Sequence, residues 1–587
     1  MSRPSAPVAA RRGSGPGARG LLLGLALSCA AGCASPLRRF PLREPIWIDT
    51  DPEEPGRRLC RPATYVSPFL WDVADNTLFG PVSRYFAAEY VRPSVNVNAL
   101  DEVPDSSWFT NRIGRRPMSR EELLRGSCGS NRIDPERSAP GSWVVDMGKP
   151  DGANPGFRVN IDGVGRFMLK ADPVGEGERA TGAAAIASRL YHAAGWYAPC
   201  ETVVHFDRAL LSLRPGLRTA DNSGVERDFD RAALDRVLDA ANQRDGKLRM
   251  VASRWLDGRT IGPFRYEGVR EDDPNDVIPH EDRRDLRGAR LIAAWVGHFD
   301  AREQNTMTTW MARDPKDKDS SPGHTLHHYL DFGDCFGSPW QWDVLTRRLN
   351  HTYYLDVEQI VADLFGLGSR PRAWDRAAIE PGQEIFGYFS AELDPEAWKT
   401  GYPNPAFARM GEGDAAWAAR ILSRFSDELV RAAVSAGDFS EPRHSAFLTA
   451  TLLRRRDAIL RRYFAVLSPL TDVVTEGRRV CATDLAAQSG LWDRSRFRPG
   501  ARAWLGAELR GHGPVEVEVE RSGRVCANLP SSGAAAALAA DDPRRYVVLD
   551  LANGVAPGPL RLHFYDLAPS EGHRLVGIER PDSSSAP

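Results

Sequence analysis

The chain has 587 residues, room for about two to four domains and at least one large core. Its 76 Lys and Arg nearly balance 78 Asp and Glu, giving a formal net charge of -2, so no global field argues for nucleic acid as a partner. Hydrophobic residues at 42% and charged residues at 26% match ordinary globular usage.

At the N-terminus, Arg11, Arg12 and Arg19 precede the apolar run Leu21-Leu22-Leu23-Gly24-Leu25-Ala26-Leu27, and Ser28-Cys29-Ala30-Ala31-Gly32-Cys33 follows it. A basic segment, a short apolar run and small residues make a secretory signal, too short to span a bilayer as a permanent helix. Small residues directly before a cysteine resemble the bacterial lipoprotein box, with residues 1–32 as signal peptide and Cys33 as the acylated first residue of the mature chain. Ala30 stands where that box more often has Leu; the alternative is a plain signal cut by another peptidase. The resemblance implies an exported protein, lipid-anchored in the bacterial cell envelope at the periplasmic face or outer membrane, with the membrane as a partner. No other segment approaches the roughly 20 apolar residues of a membrane span. Cys60, Cys128, Cys200, Cys335, Cys481 and Cys526 then sit where disulfides persist, and none falls in a C-x-x-C zinc pattern. Cys481 with Cys526 is the favoured pair because both lie in one small C-terminal segment, although the pairing itself is not readable from sequence.

Residues 33–140 read as a Pro- and Arg-rich tether to about residue 60, then an aromatic-rich extension packed on the main domain, with Asp101 to Trp108 as a tightly specified turn. Alternation predicts strands over 143–147, 157–161 and 165–170, the first two joined by a Gly-rich loop from Gly148 to Gly156 that includes Gly152. Helical spacing follows over 178–194, stopped by Gly195, and again over 231–243. A strand is expected over 248–255 and a helix over 282–297, whose apolar face carries Leu286, Leu291, Ile292, Trp295 and Val296. Two short strands, 306–311 and 325–330, flank a charged hairpin tip at 313–319. His327 and His328 are adjacent, so they point to opposite faces of a strand and make a poor zinc pair. The region from about 355 to 466 reads as helical, including 413–436 and 444–464, with Arg454, Arg455 and Arg456 as a solvated face. Short strands at 515–519, 546–551 and 560–564 mark a separate β-rich domain over 475–587.

The most informative stretch is His298-Phe299-Asp300-Ala301-Arg302-Glu303-Gln304-Asn305, followed by Tyr329-Leu330-Asp331-Phe332-Gly333. This is H-x-D-x-x-x-x-N followed by D-F-G, and chance supplies both in this order in about one chain in a thousand or fewer. Phosphoryl transfer needs one carboxylate near the attacking hydroxyl, plus an amide and a second carboxylate for magnesium. Over residues 141–466 the pattern resembles the protein-kinase-like superfamily. The resemblance implies an α+β fold: a two-lobed core with a β-rich small lobe and a helical large lobe, followed by the small C-terminal β-rich domain. It implies ATP and Mg²⁺ as cofactors, with Asp300 as general base and Asn305 and Asp331 as magnesium ligands. It also implies that Lys170 binds phosphate, that Glu178 (or Glu176) holds Lys170, and that the loop with Gly152 and Gly156 covers the phosphates. The chain lacks an A-P-E signature after Gly333 and a G-x-G-x-x-G loop, and Phe299 replaces the Arg of H-R-D. It therefore resembles atypical branches, such as the HipA-like, spore-coat CotH-like and secreted Fam20-like kinases, more closely than eukaryotic protein kinases. The expected function is a phosphotransferase or nucleotidyl transferase acting on an extracytoplasmic protein, glycan or lipid. Because ATP is scarce outside the cytoplasm, the alternative is a catalytically idle pseudokinase or other envelope-binding lipoprotein acting as a scaffold.

Overall fold

The computed structural model of the chain describes residues 39–43, 47–52, 61–66, 69–86, 92–129, 132–149, 154–173, 175–220, 225–339, 342–369, 371–567 and 571–583. The expected signal peptide, Cys33 and Gly152 lie outside the described residues.

Alternating side chains build the first sheet. In Trp143–Lys149, Trp143 and Val145 are buried while Val144 faces solvent, and Gly156–Ile161 and Gly165–Lys170 follow it antiparallel. The sheet runs in the order Glu201–Phe206, Lys247–Arg254, Gly165–Lys170, Gly156–Ile161, Trp143–Lys149, Leu211–Leu213. The helix Arg231–Ala240 buries Leu234 and Leu238 in one core with Trp143, Phe157, Phe167 and Met250. Gly156 is fixed by this packing: a Cβ there would lie 2.4 Å from the Leu169 carbonyl oxygen, so the close strand pairing itself demands glycine.

Small residues let the helix Arg179–Ala194 lie buried against Glu201–Phe206 and Lys247–Arg254. Its Tyr191 enters a second, larger core with Leu286, Ile292, Trp295, Phe332, Trp417 and Leu452; full burial of each such side chain contributes about 1.5–3 kcal/mol. The helices of this core include Arg284–Val296, Glu412–Leu422, Asp427–Ser435 and Pro442–Phe464. The single helix expected over 413–436 is two, because Ser426 turns out of the helix and accepts a hydrogen bond from the Leu429 amide at 3.2 Å, starting a new N-terminus. The fold is thus mixed α+β.

Beyond residue 470, a four-stranded and a five-stranded antiparallel sheet share a third core containing Val480, Val525, Leu549, Leu551, Leu562 and Phe564. Cys481 and Cys526 face each other on paired strands of the smaller sheet and form a disulfide, S–S 2.12 Å. A second disulfide joins Cys128 to Cys200, and Cys335 is a buried free thiol. Among the described residues no helix is long and apolar enough to cross a membrane.

Long-range contacts tie both ends of the described chain to the rest. Phe40 is buried beside His563, its amide donating to Tyr546 Oη at 2.9 Å, and Asp49 meets Arg283 at 3.0 Å. Residues 40–586 make one compact unit, within which the C-terminal sheets keep a core of their own. Asp101 is the clearest tie. Its carboxylate pairs with Arg284 at 2.6 Å, Arg580 at 2.8 Å and Arg420 at 3.2 Å, joining the N-terminal extension, two core helices and the residue that follows the last strand. The positive φ of Asp101, 59°, is a strained conformation for a residue with a Cβ, held by these three partners.

Burial opposes ionisation of Asp101, but the three guanidiniums outweigh it and hold the carboxyl well below its usual range. A depressed folded value means that this stabilisation is complete above the unfolded carboxylate pKa, about 3.9, and fades as pH falls through the folded value. Asp101→Asn is expected to cost about 3–5 kcal/mol by leaving buried guanidiniums without their shared charge. Urea unfolding at pH 7 measures this, and a midpoint equal to the native protein's refutes the tie.

Candidate active site

The helix Arg284–Val296 ends because Gly297 adopts the left-handed conformation, φ 66°, and a Cβ there would meet the Phe389 ring at 2.9 Å. Arg455, expected on a solvated face, is fully buried and caps this helix end. It donates to the carbonyls of Ala294, at 2.6 Å, and Trp295, at 3.0 Å, satisfying acceptors that a helix C-terminus leaves open. Burial lowers its pKa to about 9. The face was misread because the partners of Arg455 lie some 160 positions earlier in sequence.

The chain then enters His298, which is wholly buried. Its Nδ1 lies 3.0 Å from Tyr191 Oη, and its ring packs on Phe332. Burial drops its pKa to about 4, so His298 is a neutral packing residue. Asp300 follows at 8% exposure. Its Oδ2 accepts from Asn305 Nδ2 at 2.8 Å, and its Oδ1 lies 3.0 Å from Arg302 Nε. Burial pushes the Asp300 carboxyl up to about 6 despite Arg302. Asn305 Nδ2 also donates to the Asp300 carbonyl at 2.8 Å, so both of these bonds are made by the amide nitrogen. The Asn305 carbonyl accepts from the Leu330 amide at 2.8 Å, bringing Asp331 alongside.

Asp331 sits in the left-handed region, φ 55°. Its carboxylate receives Lys170 Nζ at 2.9 Å, a contact spanning 161 positions. Lys170 holds the Asp331 carboxyl down to about 2. Burial works against the Lys170 charge, but Asp331 and then Glu201 outweigh it, and the ammonium is favoured. The turn after Asp331 is clamped by Arg179, 1% exposed, which donates to the carbonyls of Gly333 at 2.7 Å and Cys335 at 3.2 Å. Asn154, at the end of the Gly-rich loop, comes close to Gly333 and donates to the Ala171 carbonyl at 3.1 Å.

The structure thus brings together Lys170, Asp300, Asn305 and Asp331. It does not bring Glu178 to Lys170. Glu178 pairs with Arg244 at 2.7 Å and Arg249 at 3.5 Å, and Glu176 pairs with Arg179. The two helix-start carboxylates are taken by arginines on the strands Asn242–Arg244 and Lys247–Arg254, or by the helix's own first residue, so neither is available to the lysine. Two acidic residues not anticipated from sequence enter the site instead, Glu201 and Asp334. Burial, then Asp300 and Asp331, push the Asp334 carboxyl up to about 7. Asp334 lies one residue beyond the D-F-G motif, a signal visible in the sequence.

Asn305 and Asp331 present an amide oxygen and a carboxylate, donors that suit a hard divalent cation. Among the described residues the one trio of ligating side chains close enough to surround a single ion is Cys481, Glu520 and Cys526, and that disulfide consumes both cysteines. The carboxylates near Lys170 therefore make no closed protein cage. They fit magnesium, which takes one or two carboxylates and completes its shell with substrate phosphates and water. His327 Nδ1 contacts Thr308 Oγ1 at 3.0 Å, and His328 Nε2 contacts Thr309 Oγ1 at 3.2 Å.

No protein-family model, curated protein or solved structure matches this chain. What the site can do therefore rests on its own chemistry.

Arg179→Ala removes a buried clamp whose charged hydrogen bonds contribute about 1.5–3 kcal/mol each. The expected result is a fall in stability of that order, with faster amide exchange at Cys335 and Phe336. Unchanged exchange there shows that the turn holds without Arg179.

Proposed function

We propose that the chain is an atypical kinase-like phosphotransferase that uses ATP and Mg²⁺ to modify an extracytoplasmic protein, glycan or lipid. The observation that carries this reading is the Lys170–Asp331 ion pair, 2.9 Å, standing beside the Asp300–Asn305 hydrogen bond, 2.8 Å. Residues far apart in sequence converge in the combination that phosphoryl transfer requires. A packing origin explains one such contact; it gives no reason for a buried carboxylate, the amide bonded to it and a lysine-bound carboxylate in one place.

The architecture supports a two-lobed kinase-like core. A glycine-bearing hairpin precedes the lysine strand, and the helical core carries both the 298–305 loop and the Asp331 turn. In this reading Lys170 binds phosphate oxygens, while Asn305 Oδ1 and Asp331 hold the cation. Mg²⁺ when bound neutralises charge on the transferring phosphate. Asp300 orients the acceptor hydroxyl and takes its proton as the acceptor oxygen forms its bond to phosphorus and the bond to the leaving diphosphate breaks. Its raised carboxyl lies closer to neutrality than that of a solvated aspartate, as a general base requires. Gly156 serves strand packing first, so any phosphate contact of this loop falls to its backbone. Placement in the cell envelope rests on Cys33 and its preceding small residues, and the disulfides Cys128–Cys200 and Cys481–Cys526 support an oxidising compartment.

With Mg²⁺ present, ATP is expected to raise the melting temperature of the purified mature chain, and Asp331→Ala to abolish the rise. No shift in the native protein sinks the phosphotransferase reading and leaves a scaffold. Asp300→Asn is expected to keep the nucleotide-dependent shift but lose about 10²–10⁴-fold in phosphoryl transfer, read by radiolabel transfer to protein or envelope extract.

A further inference from the structure

Glu201 is a buried carboxylate for which the mechanism above has no use. It is 1% exposed, and although Ser253 and Arg189 act on its carboxylate, among the described residues its Oε2 has no hydrogen-bond partner. Such a group costs stability unless something repays it. The strand register shows what it faces. Lys170 pairs with Val251, and Glu201 pairs with Ser253, both on the central strand Lys247–Arg254. Val251 and Ser253 are two residues apart, so their side chains leave the same face of the sheet. Lys170 and Glu201 therefore project from that face too, on either side of the central strand and offset along it by one pleat. Lys170 is the first charge to act on Glu201, opposing the upward push of burial on its carboxyl. Yet the Lys170 ammonium is hydrogen-bonded to Asp331, the residue that the reading above assigns to the cation.

A lysine cannot hold Asp331 at full strength while a divalent cation also occupies it, because the two positive charges repel at close range. The geometry points to a second station for the ammonium: we infer that Glu201 is a positioning residue that receives Lys170 when a divalent cation takes Asp331. This inference rests on the proposed cation role of Asp331. The helix-start carboxylates are excluded as that station, since arginines hold Glu176 and Glu178. In this arrangement Glu201 touches no metal and no substrate. It keeps Lys170 charged and aimed from the sheet toward the site.

The test uses Mn²⁺ binding to the full mature chain, by titration calorimetry and electron paramagnetic resonance, with and without ATP. Glu201→Gln is nearly isosteric and is expected to weaken Mn²⁺ binding by about tenfold or more, the scale of outer-shell changes at metal sites. The same substitution is expected to leave the metal-free protein at least as stable as the native one, because it removes a buried charge lacking a full set of partners. A merely structural glutamate shows the reverse, a lower metal-free melting temperature with unchanged Mn²⁺ affinity, and that result overturns the inference. In a Lys170→Met background, Glu201→Gln is expected to add no further loss of affinity, since the cycle isolates the pairwise effect. An additive further loss overturns it as well. If the native chain binds no Mn²⁺ under either condition, the cation role of Asp331 falls and this inference falls with it. Tight native binding that Asp331→Asn abolishes and Glu201→Gln leaves intact removes Glu201 alone and keeps the phosphotransferase reading.

Discussion

Like charge in a confined space is the constraint on which the rest of this structure depends. Asp300, Asp331, Asp334 and Glu201 all act on one another or on the same lysine. Burial lifts Asp300 and Asp334 toward neutrality, whereas Asp331 is held down because Lys170 is bound to it. A collection of this kind opposes folding unless the surrounding protein fixes it. One ammonium is not enough, and much of the nearby architecture acts as a brace.

The brace is built from backbone as much as from side chains. Arg455 caps the helix before His298, and Arg179 grips the carbonyls on either side of Asp334. The Gly401 amide donates to the Phe299 carbonyl at 2.6 Å, and the Phe336 amide to the Val296 carbonyl at 2.9 Å. Asp300 and Asp331 are thus located by the helical core, while Lys170 and Glu201 are located by the sheet. The Lys170–Asp331 pair is one of the places where the two cores meet in charge, alongside Arg244 with Glu178 and Asp438. A change in either core that moves its carboxylates by a fraction of a hydrogen-bond length alters the site, even far from residue 300.

Local pattern made much of this legible. The strands from Trp143 to Lys170 and the helices Arg179–Ala194 and Arg284–Val296 announce themselves by period two or by helical spacing with a glycine stop, and they lie within a few residues of where sequence puts them. The 298–305 and 331–333 motifs were visible because their residue types have a chemical reason to recur together. The failures share a cause. Glu178, Arg455 and Asp101 are defined by partners tens to hundreds of positions away, and an exposed-looking charge at helical spacing reads the same whether solvent or a carbonyl awaits it. Glu201 was hidden for a second reason. The strand Glu201–Phe206 mixes burial classes along its length and carries no clean alternation, so neither the strand nor its first residue stood out.

The N-terminal extension is the part whose importance sequence understated most. The helix Arg284–Val296 begins with Arg284, whose amide donates to Asn96 Oδ1 at 2.6 Å, while Asn96 Nδ2 donates to Asp285 at 2.7 Å. Just before it, Arg283 meets Asp49, and one turn later Arg287 donates to the Arg92 carbonyl at 2.8 Å. These arginines are nearly inaccessible to water. A chain cut to residues 141–466 would leave them buried without several of these acceptors, which costs more than losing exposed contacts. The helix that delivers His298 and Asp300 is therefore anchored at its C-terminal end by Arg455 from its own core and at its start by residues that precede the first strand. The extension is part of the machinery that sets the loop, and the boundaries of the site are wider than the boundaries of its motifs.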